Sequence, residues 1–155
     1  MNVLIADENT TIRRNLVMIF KALSPNMRVV EVLNGKSALH ALTQNTYGFI
    51  VTELDMTGGS GEVFIKHLVA SKLLRHKPII VYSNKEFDDT GLENIIYVHK
   101  ELTPVSELGK IIKELMFKHY ACPKCPEAID GEPCLDNCFY KTLDNKWQEK
   151  LKDIK

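Results

Sequence analysis

Five short runs of β-branched and apolar residues, separated in all but one case by segments of helical period, leave this chain few folds to choose from. The strand-like runs cover residues 3–6, 28–33, 47–52, 78–83 and 95–99. Residues 10–23 place Ile12, Leu16, Ile19, Phe20 and Leu23 at helical spacing, with Asn9 or Thr10 positioned to cap the first turn. Residues 36–44 bury Ala38, Leu39 and Leu42, and residues 62–74 turn Val63, Phe64, Leu68 and Val69 inward. Pro104 stands at the first position of a closing helix that buries Val105, Leu108, Ile111, Ile112 and Leu115. Strands of four to six residues alternating with helices predict an α/β fold, a doubly wound five-stranded parallel sheet with helices on both faces. The ligand crevice of such a sheet lies beyond the carboxyl ends of its strands. The polar residues there are Asp7, Glu8, Glu53, Ser83 and Lys100.

A length of 155 residues suits one domain with a small appendage. Formal net charge is zero, which supplies no electrostatic drive toward nucleic acid or an anionic membrane. No apolar run approaches the roughly 20 residues of a membrane span, and the N-terminal residues turn acidic too soon for a signal peptide. A cytoplasmic protein is expected. Residues 1–121 contain no cysteine, whereas Cys122, Cys125, Cys134 and Cys138 crowd into the next 17 positions. A domain boundary is therefore expected near His119, dividing residues 1–118 from 119–155.

Residues 50–61, Ile-Val-Thr-Glu-Leu-Asp-Met-Thr-Gly-Gly-Ser-Gly, read as a buried strand ending in a carboxylate and a glycine-rich turn. This stretch resembles the phosphoacceptor segment of response-regulator receiver domains, in a chemotaxis-type, flavodoxin-like fold, and the resemblance extends over roughly residues 2–118. It implies that Asp7 and Glu8 are the acidic pair that helps hold a magnesium ion, with Asp55 completing that site through its backbone carbonyl. Glu53 then corresponds to the phosphoacceptor, Ser83 to the hydroxyl and Lys100 to the cation that contact the phosphoryl group, and Tyr97 to an aromatic switch. The departures bear on function. Receivers carry aspartate where Glu53 stands, and proline where Thr57 and Glu101 stand. Glutamate carries its carboxylate out by on the order of 1.5 Å, and misplacement of about 1 Å can cost a hundredfold in rate. The longer side chain is expected to reach toward Lys100 and Ser83 and act as a partial phosphomimic. The stretch from Ser83 to Tyr97 is also shorter than in receivers, and Phe87 is the apolar anchor of its acidic residues 84–91. Without an apolar stripe, the helix between the fourth and fifth strands is expected to be shortened or absent.

The spacing C-x2-C-x8-C-x3-C offers two close thiolate pairs, enough for a tetrahedral site. Zinc is the expected ion, with an iron–sulfur cluster as the alternative. Disulfides are disfavoured in a chain with no sign of secretion. Beyond the cysteines, Phe139, Leu143, Trp147, Leu151 and Ile154 recur at helical spacing with lysines on the other faces. That pattern predicts a helix packed on its own domain, the alternative being a docking helix for another protein or a second copy.

The expected function is that of an atypical response regulator, a pseudo-receiver working through signalling protein partners without ordinary aspartyl phosphorylation. A conventional phosphorelay receiver using Glu53 or Asp55, and a metal or redox sensor built on the four cysteines, remain as alternatives. No nucleophilic triad accompanies Ser83, and residues 58–61 lack the lysine and spacing of a P-loop, so an enzyme is not expected. A homodimer stays open.

Overall fold

The computed structural model describes residues 1–71, 77–87 and 91–120. Strands β1 (Asn2–Ala6), β2 (Arg28–Val32), β3 (Phe49–Thr52), β4 (Ile79–Ser83) and β5 (Ile95–His99) form one parallel sheet in the order β2-β1-β3-β4-β5. Helices α1 (Thr10–Leu23), α2 (Gly35–Gln44), α3 (Gly61–Ser71) and α4 (Val105–Tyr120) cover its two faces. The strand order reverses between β1 and β3, which opens a crevice above their carboxyl ends. The fold is the doubly wound, flavodoxin-like α/β architecture expected from the alternation. Among the described residues, no helix lies between β4 and β5. No helix among them is long and apolar enough to cross a membrane.

Two apolar layers sandwich the sheet. On one side Val3, Ile5, Phe49, Val51, Ile80 and Val98 pack against Leu16 and Phe20 of α1 and Leu108, Ile112 and Met116 of α4. On the other, Leu4, Ile50, Ile79 and Val81 pack against Ala38 and Ala41 of α2 and Phe64, Ile65 and Leu68 of α3. The two sets alternate along each strand, as a sheet covered on both faces requires. Strands β3 and β4 are buried from end to end.

Local chemistry accounts for the helix starts. The Asn9 side chain accepts from the backbone N–H groups of Thr11 and Ile12, and that of Asn34 from Ser37 N–H. These bonds satisfy donors that have no partner within the first turn. Helix α4 begins one residue later than expected: Pro104 precedes it and offers its carbonyl to the N–H groups of Glu107 and Leu108. The inward face of α3 also differs from expectation. Val63 is 59% exposed and Val69 is 38% exposed, while Ile65 is buried in their place. Val63 and Ile65 flank Phe64 on opposite sides of the helix and Leu68 falls on the Ile65 side, so a stripe through Phe64 and Leu68 takes in Ile65 and leaves Val63 out.

Candidate functional site

The sheet register assembles the site. Ala6 pairs with Thr52 across β1 and β3, and the ladder continues through Glu53 N–H donating to the Ala6 carbonyl at 2.8 Å. Asp7 and Glu53 therefore leave their strands side by side. On the other flank Ser83 pairs with His99, and Lys100 N–H donates to the Ser83 carbonyl at 3.1 Å. Lys100 thus follows directly onto the same edge.

These four residues converge. The Lys100 ammonium lies 2.7 Å from Asp7 Oδ2 and forms a second ion pair with Glu53 Oε2. Glu53 Oε1 accepts the backbone N–H groups of Leu54 at 2.7 Å and Asp55 at 3.2 Å. The Ser83 side chain beside it helps to hold the Glu53 carboxyl ionised, and its Oγ accepts the Lys85 N–H at 3.0 Å. Glu53 is 7% exposed, Asp7 3% and Ser83 fully buried, so these contacts act in a poorly solvated environment. Burial is the largest single influence on the Glu53 carboxyl and pushes its pKa up. Lys100, Ser83 and the Asp55 N–H together outweigh it and hold the pKa below the ordinary value. For Lys100, burial favours the neutral amine, but Asp7 and Glu53 more than reverse that and raise its pKa.

The remaining expected site residues are placed differently. Glu8 is exposed, and its carboxylate accepts the Thr57 N–H at 3.0 Å and the Thr57 hydroxyl at 2.8 Å. Those bonds hold its pKa down. A proline at position 57 has no N–H to offer, so the donor that draws Glu8 away exists because threonine stands there. The Asp55 side chain is exposed, and its backbone N–H serves Glu53. Tyr97 is half-buried; its hydroxyl donates to the Ser83 carbonyl at 3.3 Å and its ring stacks on Phe87 at 6.5 Å. Glu101 N–H donates to Asn84 Oδ1, and the Tyr82 hydroxyl donates to the Thr103 carbonyl at 2.8 Å, which ties residues 101–103 back to β4. Cys122, Cys125, Cys134 and Cys138, and the apolar stripe after them, lie outside the described residues.

The donors as placed do not fit a magnesium ion. Asp7 Oδ1 accepts Asn9 N–H at 2.7 Å and Oδ2 faces Lys100, Glu8 is turned to Thr57, and Glu53 is turned to Lys100. Among the described residues, no three histidine, cysteine or acidic side chains gather around a common point. A hard divalent cation needs several oxygens directed at one centre.

Sequence reasoning missed Arg13. Its guanidinium donates to the carbonyls of Asp7 at 2.8 Å and Glu8 at 3.0 Å, to Thr10 Oγ1, and to Glu31 at 3.3 Å. This nearly buried side chain holds the loop that presents Asp7. A signal was present: position 13 falls on the same helical face as Leu16 and Phe20, an unusual place for an arginine without a buried task.

The family described as Response regulator receiver domain matches residues 3–99. Chemotaxis protein CheY-3 of Vibrio cholerae is 31% identical over 81 residues, which cover 52% of this chain and 62% of that protein. The chain thus spans less than two thirds of the length of the curated relatives it matches. Among solved structures, chemotaxis response regulator CheY4 of Vibrio cholerae superposes with a TM-score of 0.62 at 16% identity, covering 74% of this chain and 97% of that one. The phosphorylated cyanobacterial phytochrome response regulator RcpA gives 0.62 at 19% identity, covering 74% and 90%. TrrA of Thermotoga maritima, in complex with Mg(2+)-BeF, gives 0.59 at 21% identity, covering 74% and 97%. At these identities the structural likeness shows the fold alone.

Proposed function

The chain belongs to the response regulator receiver family, and from that premise we propose that it is a pseudo-receiver in signal transduction, acting through protein partners with Glu53 as a built-in partial substitute for a phosphorylated aspartate. One observation carries the reading: the Glu53 carboxylate is drawn into the pocket onto Lys100 and Ser83 instead of pointing to solvent. A carboxylate held there presents negative charge to the two groups that the family resemblance assigns to a phosphoryl group. It is also a poor nucleophile, since its pKa is depressed and both oxygens are occupied. The diversion of Glu8 by Thr57 supports the same reading, because phosphoryl transfer to a carboxylate depends on a cation to neutralise the incoming oxygens.

Incubation of the whole protein with a small phosphodonor and magnesium, followed by intact mass measurement, tests this. The mass is expected to stay unchanged. A phosphoryl adduct on Glu53 or on the exposed Asp55 would establish a conventional phosphorelay receiver instead.

The four-cysteine segment extends the proposal to a structural metal. Two thiolate pairs in a stretch with few apolar residues suit zinc, whose binding free energy would stand in for a core. Elemental analysis of the purified protein is expected to return about one zinc per chain. Iron with visible absorbance would mean a cluster, and redox sensing through it.

A further inference from the structure

We infer that residues 139–155 dock in cis on the uncovered side of β5, where Phe87, Leu92, Ile95 and Tyr97 form an apolar face that no helix of the described residues covers. The two sides of β5 differ in what lies over them. On one side Val98 is 6% exposed within the layer that holds α1 and α4, and the half-buried Ile96 packs against that layer. Ile95 and Tyr97 point to the opposite layer, where they and Phe87 pack only at its margin and remain half-buried. Leu92, just before the strand, is 39% exposed. The segment that connects β4 to β5 contributes no helix among its described residues. An edge strand with an apolar side that no helix of the described residues covers invites a partner.

Length and charge nominate the occupant. Residues 84–94 carry four acids, Glu86, Asp88, Asp89 and Glu93, against Lys85 alone, and Lys85 is already paired with Glu62 at 2.9 Å. Residues 139–155 carry five lysines against three acids, arranged around the stripe Phe139, Leu143, Trp147, Leu151 and Ile154. As a helix that stripe extends about 23 Å at 1.5 Å per residue, enough to lie along the five residues of β5, about 17 Å in length. The 18 residues between Tyr120 and Phe139 reach up to about 60 Å when extended. Rounding one edge of the sheet, whose layers stack about 10 Å apart, takes a fraction of that. The surface also communicates with the pocket. Tyr97 and the Lys100 N–H both hold the Ser83 carbonyl, and the Lys100 ammonium holds Glu53. A helix seated on Tyr97 therefore bears on the segment that positions Glu53.

The test uses the full chain and two readouts. Backbone hydrogen exchange over residues 91–99 reports cover on the face, and acrylamide quenching of Trp147, the single tryptophan, reports burial of the stripe. The double variant Leu143→Asp/Leu151→Asp is expected to lose protection over residues 91–99 and to expose Trp147, while exchange over β4 stays unchanged. The face variant Leu92→Asp is expected to expose Trp147 as well. Both effects should be independent of protein concentration. Unchanged exchange over residues 91–99 in the double variant would overturn the proposal. Protection that grows with concentration would also overturn it, by showing that the segment docks on a second copy.

Discussion

Replacing Lys100 with methionine is expected to lower the unfolding free energy by about 3 kcal/mol near neutral pH. Two largely buried carboxylates, Asp7 and Glu53, share this one ammonium, and methionine keeps the aliphatic stem while removing the charge. A carboxylate left in the pocket without its cation keeps its desolvation cost and loses the compensating attraction. The pH dependence identifies the cause. In the native protein the Glu53 pKa is depressed, so its contribution to stability is complete above about pH 5 and is lost as pH falls through the lower folded value. The Lys100 pKa is raised, so its contribution persists up to the ordinary lysine range and is lost only as pH climbs through the higher folded value. In the variant the ranking of influences on Glu53 changes. Burial then meets only Ser83 and backbone N–H groups, and the pKa is expected to rise above the ordinary value. The deficit relative to the native protein should therefore be smaller near about pH 4 than near about pH 7. Urea unfolding at both pH values measures it. A deficit of equal size at both would assign the loss to packing and not to charge.

Gly61→Ala is expected to cost about 3 kcal/mol, at the upper end for overpacking a rigid site. A Cβ at position 61 would overlap the Glu53 carbonyl oxygen and come within 2.8 Å of its carbon and 2.9 Å of Leu54 Cα. All of these are backbone atoms and cannot swing aside. Gly61 N–H also donates to the Leu54 carbonyl at 3.0 Å, so helix α3 starts directly against the turn that follows β3. Movement there shifts the N–H groups of Leu54 and Asp55, which hold Glu53 Oε1. The variant should show a lower urea midpoint with an unchanged slope, and a perturbed environment at Glu53. A midpoint within about 0.5 kcal/mol of the native protein would show that α3 can slide without cost. Gly58 answers a different need: its φ of 76° is a left-handed backbone that a side chain would strain.

Much of the architecture was legible because its causes are local. Alternating strand and helix periods mark elements a few residues long, and the described strands match the expected ones to within one residue except at the start of β3, which begins two residues later, at Phe49. That no helix follows β4 among the described residues was legible for the same reason: residues 84–91 hold no apolar stripe. The position of the crevice followed from strand polarity, and the sequence marked Glu53, Ser83 and Lys100 as its residues. The inward face of α3 was less legible, because apolar residues crowd several sides of that helix and packing against the sheet chose among them.

What the chain's order of residues settled alone was the set of elements, their direction in the sheet and the substitution of glutamate for aspartate at the end of β3. Those depend on interactions spanning a handful of positions. Which way each carboxylate turns was decided only in the folded molecule, by partners far apart in the chain. Lys100 meets Asp7 across 93 residues, Thr57 takes Glu8 across 49, and Arg13 secures the loop between them through carbonyls that carry no mark in a sequence. Side-chain direction at a buried site is set by which hydrogen-bond donors surround it, and that neighbourhood exists only once the strands have paired.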